Sequence, residues 1–291
     1  MTSPLHQSPA DGDKPRPTLD WSRFDIEQRL LFPGGRYTRV NNLLTGLLGV
    51  IGTLAFYGIL QIPGIRETHF AEVFNQRGPT QHAVVLLFFW SLAILAIKSS
   101  KLRFQWRSLD VRVIPNEPGF VLSTATVGRV LDHIHDCVDD PRHFVLFNRI
   151  VVALANFRNL GHVGDVDDIL RSQAAQDESA METSYALIQG FVWAIPVLGF
   201  IGTVLGLSGA IGQFSGVLGD AGDIGAITTA LKGVTGGLAT AFDTTLVALV
   251  AALILQLLMT VLKKQEEEFL DAAMEFGIRN VVGRLRLMAN S

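Results

Sequence analysis

Two long apolar segments decide the fold of this chain: IPVLGFIGTVLGLSGAIGQFSG at residues 195–216 and LKGVTGGLATAFDTTLVALVAALILQLLMTVL at residues 231–262. Each is long enough to cross a bilayer as an α-helix, for which about 20 residues suffice. Both contain more glycine and threonine than helices facing lipid on all sides would need. The pattern predicts two antiparallel membrane helices, joined by a glycine and aspartate loop, whose small and hydroxylated faces point away from lipid.

Two further apolar blocks, at residues 43–60 and 83–97, predict two more spans. A basic run follows the second of them: Lys98, Lys101, Arg103 and Arg107. Because basic residues concentrate in cytoplasmic loops, this run predicts that the segment after the second span is cytoplasmic. With four crossings both termini are then inside. The expected fold class is an all-α membrane protein, with four transmembrane helices and long helices extending into a helical cytoplasmic region.

Composition argues against several classes of function. The formal net charge of −3 argues against a general nucleic-acid binder, which needs a basic face to neutralise phosphates. The chain has one cysteine, Cys137, which excludes an intrachain disulfide. His133 and Cys137 share a helical face without a second ligand pair, so no metal site is expected. No phosphate loop, nucleophile elbow or HExxH pattern occurs, so we expect no enzyme, no catalytic residue and no cofactor.

Small residues recur at helical spacing in three of the spans. The first span has Gly46, Gly49 and Gly52, which indicate close helix packing. The third span has Gly199, Gly202, Gly206 and Gly209 at steps of three and four residues. The fourth span has a ribbon at every fourth residue: Gly236, Thr240, Thr244, Ala248 and Ala252. Helix packing explains most of these positions, and Pro196 is expected to bend the third span.

Two threonines in these spans are predicted to lie at one membrane depth. With a rise of about 1.5 Å per residue, Thr203 lies roughly 7 Å outward of the midpoint of a span at 186–211. Thr245 lies roughly 6 Å outward of the midpoint of a span at 236–262. A layer of hydroxyl groups can line a polar path without fixed charge. Thr203 and Thr245, with Thr240, are therefore candidate residues of an ion pathway.

Asp243 is the one acid in the four predicted spans. An ionisable residue within the membrane is a candidate functional residue. About 200° of helix separates it from Thr245, so the two cannot share a face. Three roles remain open for Asp243: a hydrogen-bonding group at a helix interface, an ion ligand, or a residue of an outer vestibule.

Two stretches resemble a known family. PVLGFIGTVLGL at residues 196–207 is similar to the PxLGLLGTVxGL signature of the MotA/TolQ/ExbB proton-channel family, and GLATAFDTTLVAL at residues 237–249 resembles its second pore helix. By motif, the first pore threonine of the family corresponds to Thr203. The second corresponds to Thr245 if the TxxGL pattern is matched to residues 245–249, with Ala248 in place of glycine. An alternative register would place Val234 at the threonine position.

The resemblance implies a homopentamer in the bilayer around a dimer of a single-span partner, similar to MotB, ExbD or TolR, that carries the ion-binding aspartate. It implies a proton- or sodium-driven rotary motor subunit in the bacterial inner membrane, with the four-span topology of the MotA and ZorA branches. Transport energisers like ExbB and TolQ, and a phage-defence motor like ZorA, remain alternatives within the family. A non-conducting oligomeric membrane scaffold is the alternative outside it.

These patterns divide the chain into five segments: a disordered N-terminal tail with a possible interfacial helix (1–40), a hairpin of the first two spans (41–98), a cytoplasmic helical region (99–185), a pore-forming hairpin of the third and fourth spans (186–262) and a cytoplasmic C-terminal helix (263–291). Residues 21–32 (WSRFDIEQRLLF) are expected either to lie on the membrane surface or to pack on protein as a juxtamembrane helix.

Overall fold

The computed structural model of the chain describes residues 19–29, 32, 34–114, 122–123, 125–160, 163–217 and 224–284. The expected disordered tail falls mainly on residues 1–18, which lie outside the described residues. Residues 218–223 of the loop between the third and fourth predicted spans lie outside them as well.

Helices make up almost all of the described part of the chain. The ten α-helices there are α1 Trp21–Phe24, α2 Ile26–Arg29, α3 Asn42–Leu60, α4 His69–Gln76, α5 Pro79–Trp106, α6 Val127–Cys137, α7 Val145–Leu160, α8 Val163–Ser184, α9 Ala186–Val217 and α10 Ile224–Asn280. Among the described residues the β-structure is one isolated bridge between Leu19 and Val138. The expected all-α class is confirmed.

Four helical stretches in the described residues are long and apolar enough to cross a membrane. They lie within Asn42–Leu60, Pro79–Asp110, Val166–Gly212 and Thr228–Arg284. Each contains one of the four predicted spans, so the expected number of transmembrane helices is confirmed. α10 runs without interruption for 57 residues, well beyond the length that a bilayer requires. The division into five segments stays a prediction.

The chain forms two compact units. Unit 1 comprises Met1–Arg29, Phe104–Asp177 and Leu270–Ser291, and unit 2 comprises Leu30–Arg103 and Glu178–Phe269.

The core of unit 1 is aromatic. The ring of Trp21 lies 5.5 Å from that of Phe144 and 5.8 Å from that of Phe104, and Trp21 is fully buried. Its large apolar surface is therefore removed from solvent by protein. Trp21 therefore packs on protein, as the juxtamembrane alternative for residues 21–32 expects. It is not available to a membrane surface. Arg149 and Asp177 form a buried ion pair at 2.6 Å in the same unit.

In unit 2, the glycines of α3 let this helix pack closely on α5. A Cβ atom added at Gly49 would lie 2.8 Å from the Cα atom of Trp90, and one added at Gly52 would lie 3.0 Å from the ring of Phe89. Real Cβ atoms do not approach backbone this closely, so glycine is required at Gly49. The indole of Trp90 also donates a hydrogen bond to Thr45 Oγ1 at 3.2 Å. The close packing expected of these glycines is confirmed.

A buried polar cluster joins four elements of unit 2. We call it the Lys98 cluster, and it consists of Thr38, Lys98, Ser184, Tyr185 and Glu266. The Lys98 ammonium lies 3.3 Å from Glu266 Oε2 and donates to Ser184 Oγ at 2.9 Å. Tyr185 donates to Glu266 Oε2 at 2.8 Å, and Thr38 donates to Glu266 Oε1. Lys98 belongs to the basic run that predicts the topology. In the structure it is enclosed by protein and paired with Glu266.

Candidate functional site between α9 and α10

Three glycines of α9 allow α10 to approach within backbone contact. A Cβ atom added at Gly199 would lie 2.5 Å from Ala248 Cβ, and one at Gly202 would lie 2.7 Å from Thr244 Cβ. One added at Gly206 would lie 2.8 Å from the carbonyl oxygen of residue 237. Any larger residue at these positions would force the two helices apart. Close approach of this kind lets short side chains on both helices share hydrogen bonds.

Gly236 does not take part in this packing. No described atom lies within 4 Å of a Cβ atom built at Gly236, whereas one built at Gly237 would lie 2.7 Å from Ala210 Cβ. Within the chain Gly236 lies off this contact face, because a repeat of four residues drifts by about 40° per step on a helix of 3.6 residues per turn. Three such steps separate Ala248 from Gly236, so the ribbon has turned off the contact face by then. A packing role for Gly236 stays a prediction.

Pro196 lies inside α9, which continues on both sides of it from Ala186 to Val217. Since proline has no backbone N–H, the carbonyl oxygen of Val192 one turn earlier lacks its usual helical donor. The bend expected at Pro196 stays a prediction.

The structure brings Thr203 and Thr245 together. Their hydroxyl groups hydrogen-bond directly to each other across the interface between α9 and α10. Thr203 Oγ1 also donates to the carbonyl oxygen of Ala241 at 3.0 Å, and Thr245 Oγ1 donates to that of Gly199 at 3.2 Å. Each threonine therefore reaches a backbone carbonyl of the opposite helix. We call these two hydroxyls and two carbonyls the threonine site.

The threonine site holds four oxygen atoms and no fixed charge. The Thr203 hydroxyl has three acceptors within reach: the two carbonyl oxygens and the Thr245 hydroxyl. The Thr245 hydroxyl has two: the carbonyl oxygen of Gly199 and the Thr203 hydroxyl. Their hydrogen bonds can exchange by rotation of the hydroxyl groups, because a hydroxyl is both donor and acceptor. Hydroxyl and carbonyl oxygens are also ligands that suit a small hard cation. The arrangement can pass a proton or coordinate a cation without holding it as tightly as a carboxylate would.

Two neighbouring threonines do not belong to this site. Thr244 is buried and donates to the carbonyl oxygens of Thr240 and Ala241 in its own helix. Thr240 donates to the carbonyl of Gly236 at 3.0 Å. Five residues of helix place Thr240 about 140° from Thr245, so the structure does not bring these two together. A role for Thr240 in the ion pathway stays a prediction.

Asp243 forms an ion pair with Arg77. Its Oδ2 atom lies 3.0 Å from Arg77 Nε, and both side chains are largely enclosed. No sequence motif pointed to Arg77, which directly follows α4, as the partner of Asp243. An acid within a span needs a cationic partner, so the sequence does predict that Asp243 has one. Arg77 is a candidate, since it lies in the short connection that precedes the second span.

Comparison with known proteins gives one family match, which covers this site. The family model described as the MotA/TolQ/ExbB proton channel family matches residues 149–275 of the chain. No curated protein and no solved structure was found to match. The matched residues contain all of the threonine site together with the whole of α9. The match over these residues supports a relation of the chain to the MotA/TolQ/ExbB proton channel family.

Proposed function

We propose that the chain is the channel subunit of an ion-driven rotary motor, in which protons or sodium ions pass the threonine site. The observation that carries this proposal is the direct hydrogen bond between Thr203 and Thr245, with a carbonyl of the opposite helix beside each. Such a cluster offers a polar path between two otherwise apolar helices. It binds a cation weakly enough to release it, which conduction requires.

The carboxylate that carries the ion comes from a partner subunit. Asp243, the one acid of the predicted spans, is paired with Arg77 and lies about 200° around α10 from Thr245. A dimer of a single-span protein, threaded through the centre of a pentamer of this chain, supplies an aspartate opposite the threonine site. A transmembrane potential provides about 2.3 kcal/mol per charge per 100 mV, and protonation of the partner's aspartate converts this energy into rotation.

We place the protein in the bacterial inner membrane with both termini in the cytoplasm. The support is the basic run after the second span and the four apolar helices. The enclosure of Lys98 does not remove this support, since the topology signal acts while the chain is inserted.

The test is ion flux into liposomes that contain the chain and its partner, driven by an imposed potential and measured in separate proton and sodium arms. We expect Thr203→Val and Thr245→Val each to lower flux by about tenfold or more, because a hydrogen bond to a charged group contributes about 1.5–3 kcal/mol. Thr203→Ser keeps the hydroxyl and should keep most of the flux.

Thr260→Val is the matched control, since this threonine lies on the same helix and its hydroxyl donates to its own helix at Gln256. Flux in this variant should equal that of the wild type. Undiminished flux in both Thr203→Val and Thr245→Val would contradict the assignment of the threonine site.

A second candidate function is a non-conducting oligomeric scaffold. It is favoured by the close packing at Gly199, Gly202 and Gly206, which by itself holds two helices together. It is also favoured by the hydroxyls of the threonine site, which find acceptors within the chain. A complex that assembles fully with its partner and passes neither ion at any applied potential would support the scaffold.

A further inference from the structure

Arg77 is held in place by the backbone on both sides of it. It follows the last residue of α4, Gln76, and precedes Gly78, whose φ of +95° is a left-handed conformation that glycine adopts without strain. Pro79 then begins α5, with its φ already suited to the first position of a helix. The turn between α4 and α5 therefore fixes where the side chain of Arg77 starts.

The guanidinium of Arg77 contacts α10 at two positions one turn apart. Its Nε atom lies 3.0 Å from Asp243 Oδ2, and one terminal nitrogen lies 3.5 Å from Thr240 Oγ1. The other terminal nitrogen lies 3.2 Å from Glu72 Oε1 of α4, and Glu72 in turn lies 3.5 Å from the ring of His69. Arg77 thus links α4 to one face of α10.

Apart from His69, the cavity wall around Asp243 is apolar. Asp243 lines a cavity of about 570 Å³ whose walls include Phe74, Val85 and Val247. A carboxylate without a partner in such a place would be costly to keep charged. The Arg77 guanidinium compensates this charge. A rotation of α10 about its axis would separate the two groups and leave Asp243 facing apolar side chains.

The face of α10 that Arg77 holds is opposite the face that forms the threonine site. Asp243 and Thr245 are two residues apart, or about 200° around the helix, and Thr240 lies on the side of Asp243. Fixing Asp243 against Arg77 therefore fixes the direction in which Thr245 points. On the other side of α10, Thr245 meets Thr203.

We propose that Arg77 and Asp243 are positioning residues that set the rotation of α10, so that Thr245 stays in contact with Thr203, and that Asp243 does not carry the ion. This inference rests on the proposed function for its effect on flux. Of the three roles left open for Asp243, this inference selects that of a polar group at a helix interface.

The first test reads rotation directly and needs neither the partner nor ion flux. Thr203→Cys and Thr245→Cys are combined in a Cys137→Ser background, and the rate of disulfide formation between the new cysteines is measured in membranes. The two replaced hydroxyls are in contact, so cross-linking should be rapid. Adding Arg77→Gln or Asp243→Asn should each slow it about tenfold, and adding both should slow it no further than either alone, as expected of two residues that act as a pair.

The second test applies the same changes to flux in liposomes with native threonines. Each single variant should lower flux about tenfold, and the double variant should lower it no further than either alone. Glu67→Gln is the control, because Glu67 is an exposed acid just before α4.

The two tests separate positioning from ion transport by Asp243. Loss of flux in Asp243→Asn with an unchanged cross-linking rate would overturn the inference and make Asp243 an ion ligand. Equal cross-linking rates in all variants would overturn it as well. The cross-link decides the inference even if the wild-type complex shows no flux, since that result contradicts only the proposed function.

Discussion

At the scale of single residues, Gly202 shows how the absence of a side chain sets the distance between two helices. A Cβ atom at this position would lie 2.7 Å from Thr244 Cβ and 2.9 Å from Thr80 Oγ1. Both neighbours are buried, so neither can move aside without disturbing its own contacts. The threonine site depends on this spacing, because it is formed by short side chains that reach across the interface.

We predict that Gly202→Ala lowers the thermal midpoint of the protein in detergent. The added methyl group overpacks the interface, and overpacking costs about 1–3 kcal/mol. This loss exceeds the gain of up to about 1 kcal/mol that alanine brings to a helix interior.

Gly190→Ala is the matched control on the same helix, since no described atom lies within 4 Å of a Cβ atom at that position. Its midpoint should stay equal or rise. Equal midpoints for the two variants would show that Gly202 does not limit the approach of α10.

At the scale of elements, the Lys98 cluster joins the segment before α3, helix α5, the junction of α8 and α9, and helix α10. Lys98 is fully buried, so its charge depends on Glu266 for compensation. Removing one member of a buried ion pair is much more costly than removing both, because it leaves an uncompensated charge.

We predict that Glu266→Gln destabilises the protein by about 3–5 kcal/mol. The double variant Lys98→Met with Glu266→Met should be more stable than Glu266→Gln, since it buries no lone charge. Unfolding in denaturant, followed by tryptophan fluorescence, measures both.

Glu267→Gln is the control for this series, because Glu267 is exposed and its ion pair with Lys263 spans 3.7 Å. It should unfold like the wild type. A double variant less stable than Glu266→Gln would show that the cluster contributes through its hydrogen bonds rather than through charge compensation.

At the scale of the whole molecule, much of the apolar surface of α9 and α10 has no partner within the chain. Phe200 on α9 is 66% exposed and Leu246 on α10 is 62% exposed, and only about a quarter of the most apolar window of each stretch is buried. Lipid or other subunits must cover this surface, because exposed apolar patches of this extent are unfavourable in water.

We predict that native mass spectrometry of the complex extracted from membranes gives five copies of this chain for two copies of its partner. In the proposed arrangement, neighbouring copies cover part of the exposed faces of α9 and α10, and the partner helices occupy the centre. A chain that remains monomeric with its partner present, or a ring with another number of copies, would contradict the proposed assembly.

The sequence alone was sufficient for the number of spans, the all-α class and the packing glycines of α3, because these depend on apolar length and on helical spacing. It also placed Thr203 and Thr245 at one depth, since rise per residue is nearly constant. The repeat of four residues extends to Gly236, but it departs from the true period of the helix, so Gly236 does not lie against α9 within the chain. The sequence alone missed Arg77, because the need of Asp243 for a cationic partner does not indicate which distant residue supplies it.

The sequence by itself determined that two glycine- and threonine-rich helices cross the membrane, since apolar length and small-residue spacing are local properties. Only the tertiary structure decided which groups meet: Thr203 with Thr245 on one side of α10, and Arg77 with Asp243 on the other. The reason is rotation. The rise of a helix fixes depth residue by residue, but the direction that each face points is set by neighbouring helices that lie far away in the sequence.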